Sequence, residues 1–161
     1  MPVRDGGEVR APALPHGAAM ELPGRGTTFV RTMDGPPGAP TVLLLHGWTA
    51  TADLNWYTCY HPLSEQYRVV SLDHRGHGRG IRSRKAFRLE DCADDALAVC
   101  DELGIDRVIP VGYSMGGPVA QLFWRQSDAS AGAAQMSPPR RSARVRLTGF
   151  IITPVVVRWT G

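Results

Sequence analysis

The sequence predicts an α/β fold: a partial doubly wound, mostly parallel sheet with flanking helices. Three observations predict it. The apolar runs Thr41–Leu45, Tyr67–Leu72 and Arg107–Val111 read as short strands buried on both faces. Each run ends in a loop rich in Gly or His, and helix-period segments follow the loops. A content of 43% hydrophobic and 20% charged residues marks a globular rather than a disordered chain, and 161 residues suit one domain.

The elements follow in order. Residues 1–24 are rich in Pro, Gly and Ala and read as a flexible lead-in. Gly26–Met33 alternates weakly and reads as an early strand, closed by the turn Asp34-Gly35-Pro36-Pro37-Gly38. Thr41–Leu45 is a continuous apolar strand. Ala52–Tyr67 contains a helix interrupted near Pro62. Tyr67–Leu72 is a strand running into the turn Asp73-His74-Arg75-Gly76-His77-Gly78. Glu90–Leu103 is a helix with Cys92, Ala93, Ala96, Val99, Cys100 and Leu103 three and four apart, and Gly104 suits its C-terminal cap. Arg107–Val111 is a strand, and Pro118–Trp124 begins a helix. Arg146–Val157 holds apolar runs broken by Pro154, which read as an edge strand or as disordered chain.

The chemistry concentrates at Gly112-Tyr113-Ser114-Met115-Gly116-Gly117. The bare G-x-S-x-G pattern is weak, but strand, Gly-flanked Ser and helix is the setting in which a serine becomes a nucleophile. A sharp turn needs small neighbours two residues to either side, and Gly112 and Gly116 meet that need. Such a turn directs the Met115 N–H and the start of the next helix at developing negative charge.

Upstream, Leu45-His46-Gly47-Trp48 ends a buried strand, and Leu72-Asp73-His74-Arg75-Gly76-His77-Gly78 ends another. With the Ser114 turn, these pieces make residues 25–125 resemble the N-terminal half of an α/β-hydrolase. A serine at the elbow resembles the esterase, lipase and cofactor-free haloperoxidase branches; dehalogenases and epoxide hydrolases of the family carry aspartate there. The resemblance implies a serine hydrolase acting on an ester-like carbonyl. Ser114 would be the nucleophile, and the backbone N–H groups of Trp48 and Met115 the oxyanion donors. The resemblance calls for no cofactor and no metal.

The family's relay runs nucleophile, acid, histidine in chain order. The five histidines here (His16, His46, His61, His74, His77) all precede Ser114, and Asp128 is the one acidic residue after it. An inactive fragment, a decayed relative or a binding protein is therefore the alternative reading. Asp73 ends a strand and reads as a loop anchor, His46 as the shaper of the oxyanion loop, and the Trp48 side chain as a pocket wall. Asp53 and Trp56 follow the oxyanion loop and are expected to edge the site. His74 and His77 read as loop-shaping groups rather than metal ligands.

Residues 126–161 form a basic Pro/Arg-rich tail with five Arg and one Asp, against a net charge of −1 for residues 1–125. The break near Gln126 reads as a truncated or frameshifted second half. Missing later strands would leave the sheet edge beside Arg107–Val111 bare and open to self-association unless the tail covers it. The tail's arginines lack interleaved aromatics, so no nucleic acid partner is expected. No run reaches about 18 apolar residues, so no membrane span is expected. Three cysteines without close pairing fit a reducing cytoplasm, and the expected partner is a small-molecule substrate.

Overall fold

The computed structural model describes residues 4–5, 8–9, 13–133, 146–147 and 151–153, with side chains from 13 to 127. Two short strands, β1 (Arg4–Asp5) and β2 (Glu8–Val9), pair antiparallel by themselves. A seven-stranded sheet contains β3 (Gly17–Leu22), β4 (Gly26–Met33), β5 (Thr41–Leu45), β6 (Arg68–Leu72), β7 (Arg107–Tyr113), β8 (Arg146–Leu147) and β9 (Ile151–Thr153). The spatial order is β3-β4-β6-β5-β7, and both β8 and β9 lie on the far side of β7. β4 runs antiparallel to β3 and β6; β5, β6, β7, β8 and β9 run parallel.

All five residues of β5 are buried because both faces of that strand are covered. Leu43 and Leu45 point to one side, where they join Val70, Leu72 and Val108. There they meet α3 (Leu89–Glu102) and α4 (Gly116–Ala133), through Ala96, Val99, Cys100, Val119 and Phe123 among others. Val42 and Leu44 point to the other side, where Val69, Ala52, Trp56 and Tyr60 form a smaller core under α1 (Ala52–Trp56) and α2 (Tyr60–Ser64). The period of two along a strand produces this division.

The α3 exit follows the expectation at Gly104. Gly104 has φ +62°, its N–H donates to Asp101 O at 3.1 Å, and the Ile105 N–H donates to Cys100 O at 2.9 Å. This pair of bonds is the Schellman arrangement, which a left-handed glycine allows at no steric cost.

Three expectations need correction, and one alternative is decided. The lead-in does not extend to residue 24, because Gly17–Leu22 pairs with β4 over six registered positions. The helical segment after β5 breaks at Tyr57–Cys59 rather than at Pro62. Pro62 lies in the first turn of α2, where a missing N–H removes no helical bond. The composition break at Gln126 is not a structural boundary, since α4 runs through it to Ala133. At the β7 edge the alternative of a covering tail holds. Arg107 and Val108 pair with Arg146 and Leu147, and Val111 to Tyr113 pair with Ile151 to Thr153. Of the residues expected to give an edge strand or disordered chain, 148–150 and 154–157 lie outside those described.

Candidate active site

The C-terminal ends of neighbouring parallel strands β5 and β7 meet at the site, with Leu45 registered against Gly112. Ser114 follows β7 directly, is exposed, and has φ +51°. Thr49, four residues past the end of β5, has φ +56°. They are the two non-glycine residues with positive φ among those described. A left-handed conformation costs an L-residue roughly 1–2 kcal/mol, and a β-branched threonine is a particular outlier there. Both strained residues sit in the two loops that adjoin one another.

Close approach sets the glycines. A Cβ on Gly112 would collide with the backbone of Gly116, and one on Gly116 would collide with the Leu45 carbonyl. The Ser114 carbonyl accepts the Gly117 N–H at 2.9 Å, closing the turn into α4. Gly47 lies against the turn from the β5 side: a Cβ there would be 3.0 Å from the Tyr113 ring and 3.2 Å from Ser114 Cβ. The structure thus brings Gly47 against Tyr113 and Ser114, with Trp48 and Met115 the next residues along each loop.

Buried hydrogen bonds hold that segment. The Gly47 N–H donates to Asn55 Oδ1 at 2.8 Å. The His46 ring is fully buried, and its Nε2 accepts the His74 N–H at 2.8 Å. A backbone amide can only donate, so the ring proton resides on Nδ1, which donates to Gly47 O at 2.7 Å. Burial holds the His46 pKa below its ordinary value, outweighing the Gly47 bond and nearby Asp73. His74 is buried with neither ring nitrogen bonded, and burial followed by the proximity of His46 and His77 pushes its pKa well down.

Asp73 anchors the loops, as expected. Its Oδ1 accepts the Ala52 N–H and its Oδ2 the Arg79 N–H, both at 2.9 Å. Asp53 and Trp56, expected to edge the site, are both engaged within the fold. Asp53 pairs with the Arg31 guanidinium through both oxygens and with Arg79 at 2.7 Å. Burial would raise its pKa, but the two guanidinium groups outweigh burial and hold it below the usual value. Trp56 is buried, with its ring edge-on to Tyr113 at 6.4 Å.

Trp48 is the most exposed aromatic here, at 56%, and its ring borders an open hollow of about 480 Å³. Trp48, His77 and Phe87 meet edge to face, with centroids 4.9, 5.0 and 5.7 Å apart. Sequence reasoning assigned a pocket wall to Trp48 but missed Phe87 and Asn55. Phe87 lies ten residues past His77 in an irregular segment, and nothing in its neighbours marks the contact. Among the described residues, no group of three or more His, Cys, Asp or Glu is arranged to hold a metal ion, and no helix is long and apolar enough to cross a membrane.

Comparison with known proteins adds relatives to this geometry. Residues 40–130 match the family described as alpha/beta hydrolase fold. Epoxide hydrolase B of Mycobacterium tuberculosis is 36% identical over 124 residues, covering 71% of this chain and 34% of that protein. The bifunctional esterase/perhydrolase DCH of Acinetobacter calcoaceticus is 38% identical over 84 residues, covering 52% of this chain and 30% of that protein. Among solved structures, Est816, described as an N-acyl homoserine lactone degrading enzyme, superposes with a TM-score of 0.59 at 26% identity. That match covers 84% of this chain and 44% of Est816. The chain spans about a third of the length of these curated relatives.

Proposed function

Because the chain belongs to the alpha/beta hydrolase fold family, we propose that it carries the nucleophile half of a serine hydrolase acting on an ester-like carbonyl. The observation that supports this most is Ser114 at φ +51°, exposed between Gly112 and Gly116 with Gly47 against it. Strain of this kind persists where the surroundings enforce it, and it gathers at working sites. In this reading Ser114 Oγ attacks the carbonyl carbon. The Met115 N–H is one oxyanion donor. The Gly47 N–H is occupied by Asn55, so the next amide, that of Trp48, is the second. Epoxide hydrolase B is a relative in sequence, but the elbow residue here is a serine, which favours ester over epoxide chemistry.

Ser114 also needs a proton acceptor. His46 is unsuited, because Gly47 O and the His74 N–H engage both its nitrogens. The 161 residues hold no histidine after Ser114. That observation favours a second reading, in which these residues alone bind a small molecule without turning it over. An oxyanion hole without its base retains a rate about 10³ to 10⁴ above water. Labelling with a fluorophosphonate separates the readings. Labelling of the chain that disappears in Ser114→Ala supports the nucleophile, whereas a folded chain that stays unlabelled leaves the binding role.

A further inference from the structure

The hollow bordered by Trp48 has a composition that narrows what enters it. Its lining carries no charged side chain: Trp48, His77 and Phe87 supply ring edges, and Thr49 to Thr51 with Gly76 and Gly78 supply a small, shallow remainder. Phe87 is 39% exposed, so two large apolar rings face solvent together at one opening. Rings arranged edge to face leave flat surfaces for a further ring, and such stacking adds to the gain from burial.

Charge beside the opening points one way. Residues 74–89 contain six cations and no carboxylate. Two of the six are neutralised internally, Arg75 by Asp95 at 2.6 Å and Arg79 by Asp53 at 2.7 Å. Arg82 is different. Its Nη1 donates to Gly76 O at 3.0 Å and its Nη2 to Gly78 O, so an exposed guanidinium braces two of the glycines that line the hollow. Arg84 and Lys85 are exposed and have no carboxylate partner among the described residues, and Arg88 reaches the exposed Glu90 only at 3.7 Å. A guanidinium bonded to carbonyls keeps its full charge, so the Gly76–Gly78 side of the hollow, braced by Arg82, favours an anion.

We propose that this hollow is a subsite for an anionic small molecule carrying a flat apolar group. Trp48, His77 and Phe87 hold the flat group, and Arg82 with its basic neighbours selects the negative charge. The proposal rests on the Ser114 reading in one respect: it names the class of ester whose remote part would sit here, one residue along the chain from the Gly47–Ser114 contact.

Equilibrium dialysis of the 161-residue chain with three probes tests it: 2-naphthoate, the neutral 2-naphthylmethanol and the cationic 2-naphthylmethylammonium. The carboxylate binds tightest and the ammonium weakest. Phe87→Ala weakens all three about tenfold, while Arg82→Gln, which also loosens the brace on Gly76 and Gly78, weakens naphthoate about fivefold more than it weakens the alcohol. Raising salt from about 0.05 M to about 0.5 M erodes the preference for the carboxylate. Both substituted residues are exposed, and circular dichroism verifies that the variants fold. Ammonium binding as tight as carboxylate binding, or dissociation constants indifferent to Phe87→Ala, overturns the proposal. Dialysis needs no reaction at Ser114. A chain that binds naphthoate through Phe87 but resists fluorophosphonate therefore sinks only the nucleophile. A chain that labels but binds no probe sinks only the subsite.

Discussion

Gly47 and Ser114 touch across the ends of β5 and β7, so closely that a methyl group on Gly47 would stand 3.2 Å from Ser114 Cβ. Two loops far apart in sequence thereby fix each other's position. Their contact is tight enough that a small steric change in one must displace the other.

The glycines should differ in what they tolerate. Gly116→Ala drives a methyl into the Leu45 carbonyl, a backbone group that cannot move aside. About 3 kcal/mol or more of stability should be lost, read as the urea midpoint. Gly47→Ala meets the Tyr113 ring at 3.0 Å and needs only a small shift. It should cost about 1 kcal/mol yet slow fluorophosphonate labelling, because the shift is transmitted to Ser114.

Strain at Ser114 should be measurable. Ser114→Gly removes the left-handed penalty at φ +51° and should raise stability by roughly 0.5–1 kcal/mol, after the entropy glycine gains on unfolding. Ser114→Ala keeps the penalty and should leave stability within about 0.5 kcal/mol of the parent. Thermal melts of the pair give the comparison; equal stabilities would mean that the turn is relaxed.

Stability should fall on acidification through the buried imidazoles. His46 and His74 both have folded pKa values below the ordinary 6.5. In acid the unfolded chain therefore binds protons that the folded chain refuses. Their contribution is complete above pH 6.5 and is lost as pH falls toward the folded values, by at most about 1.4 kcal/mol per pH unit for each ring. Urea titrations at a series of pH values measure the slope, and His74→Phe should reduce it.

Thiol chemistry should single out Cys59. Burial pushes the Cys92 and Cys100 thiols up to about 12, and both are inside the core. Cys59 is only partly covered. Native protein should react with one equivalent of a disulfide reagent and denatured protein with three, one for each cysteine.

The fold was legible where local chemistry and burial agree. β5 announces itself because the four consecutive apolar residues Val42–Leu45 leave no polar face, and the structure covers both sides. Gly104 and the glycines about Ser114 were readable because only glycine suits their backbone or their surroundings. Legibility failed where the deciding partner is distant. Gly17–Leu22 holds few large apolar residues, and only its ladder with β4 makes it a strand. Pro62 was read as an interruption, although a proline is harmless in a first turn. Asp53 was assigned to the site by its proximity in sequence to Trp48, but Arg31 from β4 and Arg79 draw it into an ion-pair cluster. The Phe87 wall and the Asn55 brace depend on tertiary contacts that no spacing encodes.

Asp73 ties the first amide of α1 to the amide of Arg79 through the two oxygens of one carboxylate. The stretches on either side of the aromatic opening, 48–51 and 76–78, are thus sutured beneath it. Those two stretches cannot part without tearing that stitch, so any adjustment to a bulkier guest falls to Phe87, which lies outside it. Spreading the sutured pair would require recasting a buried carboxylate.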